Sequence, residues 1–154
     1  MAILNIVTKA NNEEFLRKKS REVTEITPRI HTLLDDMIET MRYANGCGLA
    51  AVQVGVLRRV VVIETEEGLF EFINPKIIAM SGVQKGEEGC LSLPGEWGKT
   101  KRPEHVTVRA LNRNGEQIEV TGHGLLAKAM CHEIDHLDGI LYIDKVIKET
   151  EDNK

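Results

Sequence analysis

Leu125-Leu126-Ala127-Lys128-Ala129-Met130-Cys131-His132-Glu133-Ile134-Asp135-His136-Leu137 carries both a helical period and the densest chemistry of the chain. Gly122 and Gly124 precede it. Within it Leu125, Ala129, His132 and His136 are spaced i, i+4, i+7 and i+11, which puts them on one stripe of a helix. That stripe is expected to face the core. Two neutral imidazoles buried side by side need partners, and one metal ion satisfies both. Glu133 adjoins them, placed to handle the protons of an attacking water. The competing reading is two histidines satisfied by backbone groups. Against it, the pattern should arise by chance in only roughly a few chains per thousand of this length.

Working outward, a second long helix is expected from Thr27, which can cap it, and Pro28 at the first helical position. Ile30, Leu33, Leu34, Met37, Ile38 and Met41 fall at helical spacing until Asn45-Gly46 ends the pattern. A shorter helix is expected over residues 13–19. The middle of the chain reads as strands. Arg59-Val60-Val61-Val62-Ile63 is a continuous β-branched run that suits a strand buried on both faces. Residues 69–73 and 76–80 follow as two strands separated by Asn74-Pro75. Residues 105–111 and 116–120 flank Asn112-Arg113-Asn114-Gly115, a hairpin whose Asn-Gly pair tolerates positive φ. Long helices on both flanks of mainly antiparallel strands indicate an α+β fold. With no repeat and no Gly/Ser- or Pro-rich linker, the chain reads as one domain over residues 1–147, with a polar, mobile tail over residues 148–154.

Composition excludes other classes. A chain of 154 residues with 42% hydrophobic and 29% charged residues is long enough and apolar enough for a sizeable core. Only six residues are aromatic, so that core must be aliphatic. Twenty basic against twenty-four acidic side chains, a net charge of −4, is a poor footprint for sequence-specific nucleic-acid binding. No apolar run approaches the length that spans a bilayer, and residues 1–20 lack the apolar stretch of a signal peptide. The expectation is a cytoplasmic protein without membrane contact. Three cysteines, Cys47, Cys90 and Cys131, then point to metal binding or catalysis rather than a disulfide framework.

A catalytic metal usually has three protein ligands and one open position. One class of metalloproteases takes its third histidine three residues after a glycine; here Gly139 is in place but the final position is Tyr142. The third ligand must come from elsewhere. Cys90, in the turn-rich stretch Glu87-Glu88-Gly89-Cys90-Leu91-Ser92-Leu93-Pro94-Gly95, is the best candidate, although a lone cysteine there is more often packing than ligand. Cys131 points about 100° away from His132 on the helix. Cys47 fits either a ligand or a pocket wall. In Gly46-Cys47-Gly48-Leu49-Ala50-Ala51-Val52-Gln53 small residues bring the main chain close to something large, or simply end the helix in a tight turn. Gln53 is either exposed or a neutral donor aimed into a site. The residues alone leave a hydrolase, a general metallopeptidase and a structural metal site open.

Together the segments from Gly46 to Gln53, Glu88 to Ser92 and His132 to His136 resemble the three signature motifs of the peptide deformylases, in the family order. The resemblance implies antiparallel strands packed around the metal-binding helix. It implies removal of the formyl group from the N-terminal formyl-methionine of new bacterial or organellar polypeptides, with release of formate. By motif position, Cys90, His132 and His136 would hold one divalent metal and Glu133 would be the general acid/base. Gln53 and the backbone N–H of Leu91 would bind the oxyanion. Gly48 and Gly89 would pair with the extended substrate backbone, and Cys47, Leu125 and Ala129 would border the methionine pocket. The family implies Fe²⁺ in the cell; Zn²⁺, Ni²⁺ or Co²⁺ in purified protein follows from relative affinities. The implied partners are N-formylmethionyl peptides and nascent chains, met by a monomer in the bacterial cytoplasm. A ribosome contact is left open, because the short polar end lacks the long final helix of some relatives. Two positions depart from the usual pattern. Cys131 stands where many members have Gln, and Gly86 where a larger apolar residue is often found, which predicts a more open pocket.

Overall fold

The computed structural model describes residues 2–147, so the expected tail over residues 148–154 lies outside the described residues. Three helices, α1 (Lys9–Leu16), α2 (Pro28–Tyr43) and α3 (Leu125–Leu137), combine with seven strands. The strands are β1 (Gly48–Ala50), β2 (Val60–Thr65), β3 (Gly68–Ser81), β4 (Gln84–Cys90), β5 (Leu93–Arg102), β6 (His105–Leu111) and β7 (Gln117–His123). Five of them form an antiparallel sheet in the order β1-β2-β3-β6-β7, and β4 with β5 forms a second, two-stranded sheet. This is the expected α+β class.

The β-branched run places the core. Val60 and Val62 pack with Leu34, Met37, Ile38 and Met41 of α2, while Val61 and Ile63 pack with Ala127, Met130 and Ile134 of α3. All four strand residues have no exposed surface. β2 therefore separates two helices, one on each face of the sheet, and each such side chain contributes about 1.5–3 kcal/mol by leaving water. Because α3 is also covered by the β4–β5 sheet, it is buried nearly all round, and whatever it carries is held rigidly.

Several expectations change in detail. Pro28 does open α2, but Thr27 caps it through backbone conformation alone, without a side-chain hydrogen bond. The first helix starts earlier than residue 13, because the Thr8 side chain accepts from Asn11 N–H and the Asn11 side chain accepts from Thr8 N–H. The two strands expected around Asn74-Pro75 are one strand, β3. Asn74 takes φ +53°, and the register with β6 shifts between Ile73 and Lys76, so the interruption is a bulge and not a turn. In the β6–β7 hairpin only Gly115 takes positive φ; Asn114 does not. β4 and β5 replace the turn-rich stretch around Cys90.

Candidate active site

α3 delivers His132, Glu133 and His136 from one side, and β4 delivers Cys90 from the other. One ligand atom from each of Cys90, His132 and His136 lies within 4.8 Å of the others, the one such cluster among the described residues. Cys90 Sγ stands 3.3 Å from His136 Nε2. A tetrahedral ion with ordinary Zn–S and Zn–N bonds would set such atoms about 3.5 Å apart, so the donors fit a metal. Cys131 is buried in the core, turned away from the cluster on α3, where burial pushes its thiol up to about 11. Cys47 lines the pocket and is not one of the three.

A carboxylate that sequence reading did not connect to the histidines fixes one of them. His132 Nδ1 is 2.8 Å from Glu88 Oε1, which directs Nε2 toward the cluster. Glu88 is itself held by Arg102, whose Nε and Nη2 donate to its two oxygens at 2.7 and 3.0 Å, and by the Thr100 hydroxyl. Arg102 Nη1 also reaches Asp135 at 2.8 Å. Burial works against charge on Glu88, but His132, Arg102 and Thr100 outweigh it and hold the carboxyl well below its ordinary value. His132 is pulled the other way: Glu133, Cys90 and Glu88 overcome its burial and favour the proton. Burial and the neighbouring His132 keep His136 neutral, the form in which imidazole binds a metal.

Glu133 is buried, and burial pushes its carboxyl up to about 7. A cation beside it would draw that value down. Its Oε2 is 3.9 Å from His132 Nε2, and its Oε1 has no hydrogen-bond partner among the described residues. A side chain on Gly48 would put Cβ 2.6 Å from Glu133 Oε2, so only glycine lets β1 pass against this carboxylate. Gln53 is buried rather than exposed. Its Nε2 donates to Ser92 Oγ at 3.0 Å and lies 3.5 Å from Cys90 Sγ, while its Oε1 accepts from Ala50 N–H. Ser92 Oγ in turn donates to the Val7 carbonyl, and Val7 N–H donates to the Gln53 carbonyl, so the N-terminal segment straps the first two motifs together.

A pocket of about 420 Å³ opens beside these groups. Cys47, Gly48, Leu91, Ala129 and Glu133 are among its lining residues, as is Leu125 at the mouth, where it is 53% exposed. Of the Leu125-Ala129-His132-His136 stripe, Leu125, Ala129 and His132 line this pocket, while Ala129, His132 and His136 are buried as expected and only Leu125 is exposed. Two further wall residues, Trp97 and Lys128, carried no sequence signal. Trp97 lies flat over Gly89, where a Cβ would come within 2.7 Å of the indole. Gly86 is not among the residues lining the pocket, and a Cβ there would meet only Lys128 Nζ, at 3.8 Å.

Comparison with known proteins agrees with this geometry. A family profile described as "Polypeptide deformylase" matches residues 3–152. The peptide deformylase of Alkaliphilus metalliredigens is 59% identical over 149 residues, covering 97% of this chain and all of that one. That of Acetivibrio thermocellus is 59% identical over 144 residues, covering 94% of this chain and 85% of its own. Among solved structures, peptide deformylase from Thermotoga maritima superposes with a TM-score of 0.90 at 34% identity, covering 95% of this chain and 99% of that one. The Ehrlichia chaffeensis enzyme in complex with actinonin gives 0.91 at 39% identity, covering 99% and 94%. With the profile spanning almost the whole sequence and the three motifs meeting at one pocket, this chain belongs to the peptide deformylase family, a family of hydrolases.

Proposed function

We propose that this protein removes the formyl group from the N-terminal formyl-methionine of newly made polypeptides, releasing formate, with Cys90, His132 and His136 holding one divalent metal. When bound, the ion supplies a Lewis acid and lowers the pKa of water enough to furnish hydroxide near neutral pH. Glu133 takes a proton from the attacking water and returns it to the departing amine; its buried carboxyl, with one oxygen unpartnered, suits a group that must hold and release a proton. Gln53 Nε2 and the Leu91 N–H steady the charge developing on the formyl oxygen, and loss of one such donor typically costs about 3–4 kcal/mol. Glu88 keeps the Nδ1 of His132 occupied so that Nε2 serves as ligand.

The substrate main chain has an evident place to lie. β1 is an edge strand of its sheet, and its free side faces the pocket near Gly89 of β4. An extended peptide entering between Gly48 and Gly89 would add as a strand, with the methionine side chain directed toward Cys47, Leu125 and Ala129. Fe²⁺ in the cell, a monomeric enzyme and action on nascent chains in the bacterial cytoplasm complete this reading. Zinc, nickel or cobalt would replace iron in purified samples, since these bind such ligands more tightly.

The observation that carries the proposal is the meeting of three metal-ligating atoms with an unpaired, buried Glu133 oxygen at the wall of an open pocket. Anaerobic purification with metal analysis, followed by formate release from a formyl-Met tripeptide, tests it. The wild type should release formate, and Glu133→Gln should keep its metal while losing at least about 100-fold in rate. Equal rates, or cleavage of internal peptide bonds, would overturn the reading.

A further inference from the structure

We propose that His105 and His123 form a second metal site, a two-imidazole chelate for a divalent transition ion such as Ni²⁺ or Zn²⁺, on the outer face of the β6–β7 hairpin. Of the five histidines, two belong to the α3 cluster and His31 bonds the Arg113 carbonyl through Nε2 at 2.7 Å. The other two sit directly opposite each other in the antiparallel register, both exposed. Their ring centres are 6.1 Å apart with the planes at 39°.

The neighbouring pairs on the same face make this one conspicuous. Two residues along, the Thr107 and Thr121 hydroxyls are hydrogen-bonded at 2.8 Å. Two further, Arg109 donates to Glu119 at 3.0 and 2.8 Å. Each of these pairs satisfies itself across the strands, as cross-strand neighbours generally do. His105 and His123 do not: among the described residues neither ring has a hydrogen bond or an ion pair, and each faces the other. Two like imidazoles facing each other gain little, and when both are charged they repel. A divalent ion between them turns the mismatch into a pair.

The geometry needs little adjustment. A ring centre lies about 3.2 Å from an ion held by its nitrogen, so two rings on one tetrahedral ion are separated by about 5.2 Å. The His132 and His136 rings stand 5.0 Å apart. Closing 6.1 Å to that range takes a modest side-chain rotation, which the surface leaves free. Gly82 flanks the pair without a side chain, and a Cβ there would sit 3.7 Å from the His105 ring and 2.9 Å from Glu104 Cβ. Water fills the remaining coordination positions. Imidazole donors favour Ni²⁺, Zn²⁺ or Cu²⁺ over Mg²⁺ or Ca²⁺.

The position gives binding a structural effect. Gly124, immediately after His123, donates its N–H to the carbonyl of Glu104, immediately before His105, at 3.0 Å. α3 begins at the next residue, Leu125. An ion on the pair therefore clamps the mouth of the hairpin from which the helix of the first metal site departs, and ligand binding to the folded form alone raises stability.

The test titrates Ni²⁺ into protein whose α3 site already carries Ni²⁺. One further ion should bind to the wild type and raise its melting temperature. His105→Asn, His123→Asn and the double variant should each bind that ion at least about tenfold more weakly, and by the same factor, because a chelate is lost with either arm. All three should keep wild-type formate release. Absence of a second ion in the wild type would overturn the proposal. So would single variants that each lose part of the affinity and a double variant that loses the sum, since that describes two independent surface imidazoles.

Discussion

Replacing Arg102 by Met tests the electrostatic support of the site. The Arg102 and Glu88 side chains are only 4% and 3% exposed, so their pairing is made away from water. Arg102→Met keeps most of the side chain's bulk but removes three charge-assisted hydrogen bonds, two to Glu88 and one to Asp135. Breaking one member out of a buried pair costs about 3–5 kcal/mol, mainly because the other charge stays buried. Two features place this case near the low end. Glu88 keeps the Thr100 hydroxyl and His132 Nδ1, and Asp135, at 18% exposure, has Lys145 Nζ 3.7 Å away. A loss of about 3 kcal/mol with a urea dependence of about 2 kcal/mol per molar moves the midpoint down by about 1.5 M. Urea unfolding at saturating metal, followed by two probes to check two-state behaviour, measures it. Adding Glu88→Gln to Arg102→Met should recover about 1–2 kcal/mol, since the stranded charge is gone. An Arg102→Met midpoint within about 0.3 M of wild type would refute the reasoning.

Two further outcomes follow from the same geometry. Gly48→Ala forces a Cβ to within 2.6 Å of Glu133 Oε2 and 3.0 Å of Cγ and Cδ; displacing the proposed general base by even about 1 Å costs on the order of 100-fold in rate, so formate release should fall that far while far-ultraviolet circular dichroism stays native. Acid should weaken the fold through Glu88: its folded pKa lies below the ordinary 4.5, so the folded state binds fewer protons than the unfolded one. The stability it contributes is complete above that value and is lost as pH falls below it. Urea midpoints taken from pH 6 downward should therefore fall less steeply in Glu88→Gln than in wild type, and parallel curves would contradict the linkage.

The parts of the fold legible in the sequence are those in which burial dictates residue choice. The run from Val60 to Ile63 is apolar on both faces because a helix covers each face, and α2 announces itself by Pro28 and its spaced aliphatics. β4 and β5 were not legible. Gln84-Lys85-Gly86-Glu87-Glu88-Gly89-Cys90 has neither alternation nor β-branched residues, because its positions are chosen for a site and its stability comes from pairing with β5. The break at Asn74-Pro75 looked like a turn because local chemistry cannot distinguish a bulge within one strand from an end. The three motifs stood out by their residue types and order, and the structure gathers them around one pocket. The Glu88–His132 contact spans 44 residues and has no local signature. A carboxylate two positions before a cysteine was the one available hint. Trp97 was invisible for a similar reason: an exposed tryptophan has meaning only once Gly89 is seen beneath it.

The strap made by Val7 and Lys9 has a consequence for the order in which the site is completed during folding. Lys9 N–H donates to the Ser92 carbonyl, and Val7 is bonded to both Gln53 and Ser92. The nearer contacts of this N-terminal segment reach Asp36, Thr40 and Gln53, but completing the strap takes pairing with Ser92 across more than eighty residues, and contacts of such separation form slowly. The amide donor at Gln53 therefore acquires its final aim late in folding, once Ser92, which accepts from it, has been tied to the Val7 carbonyl.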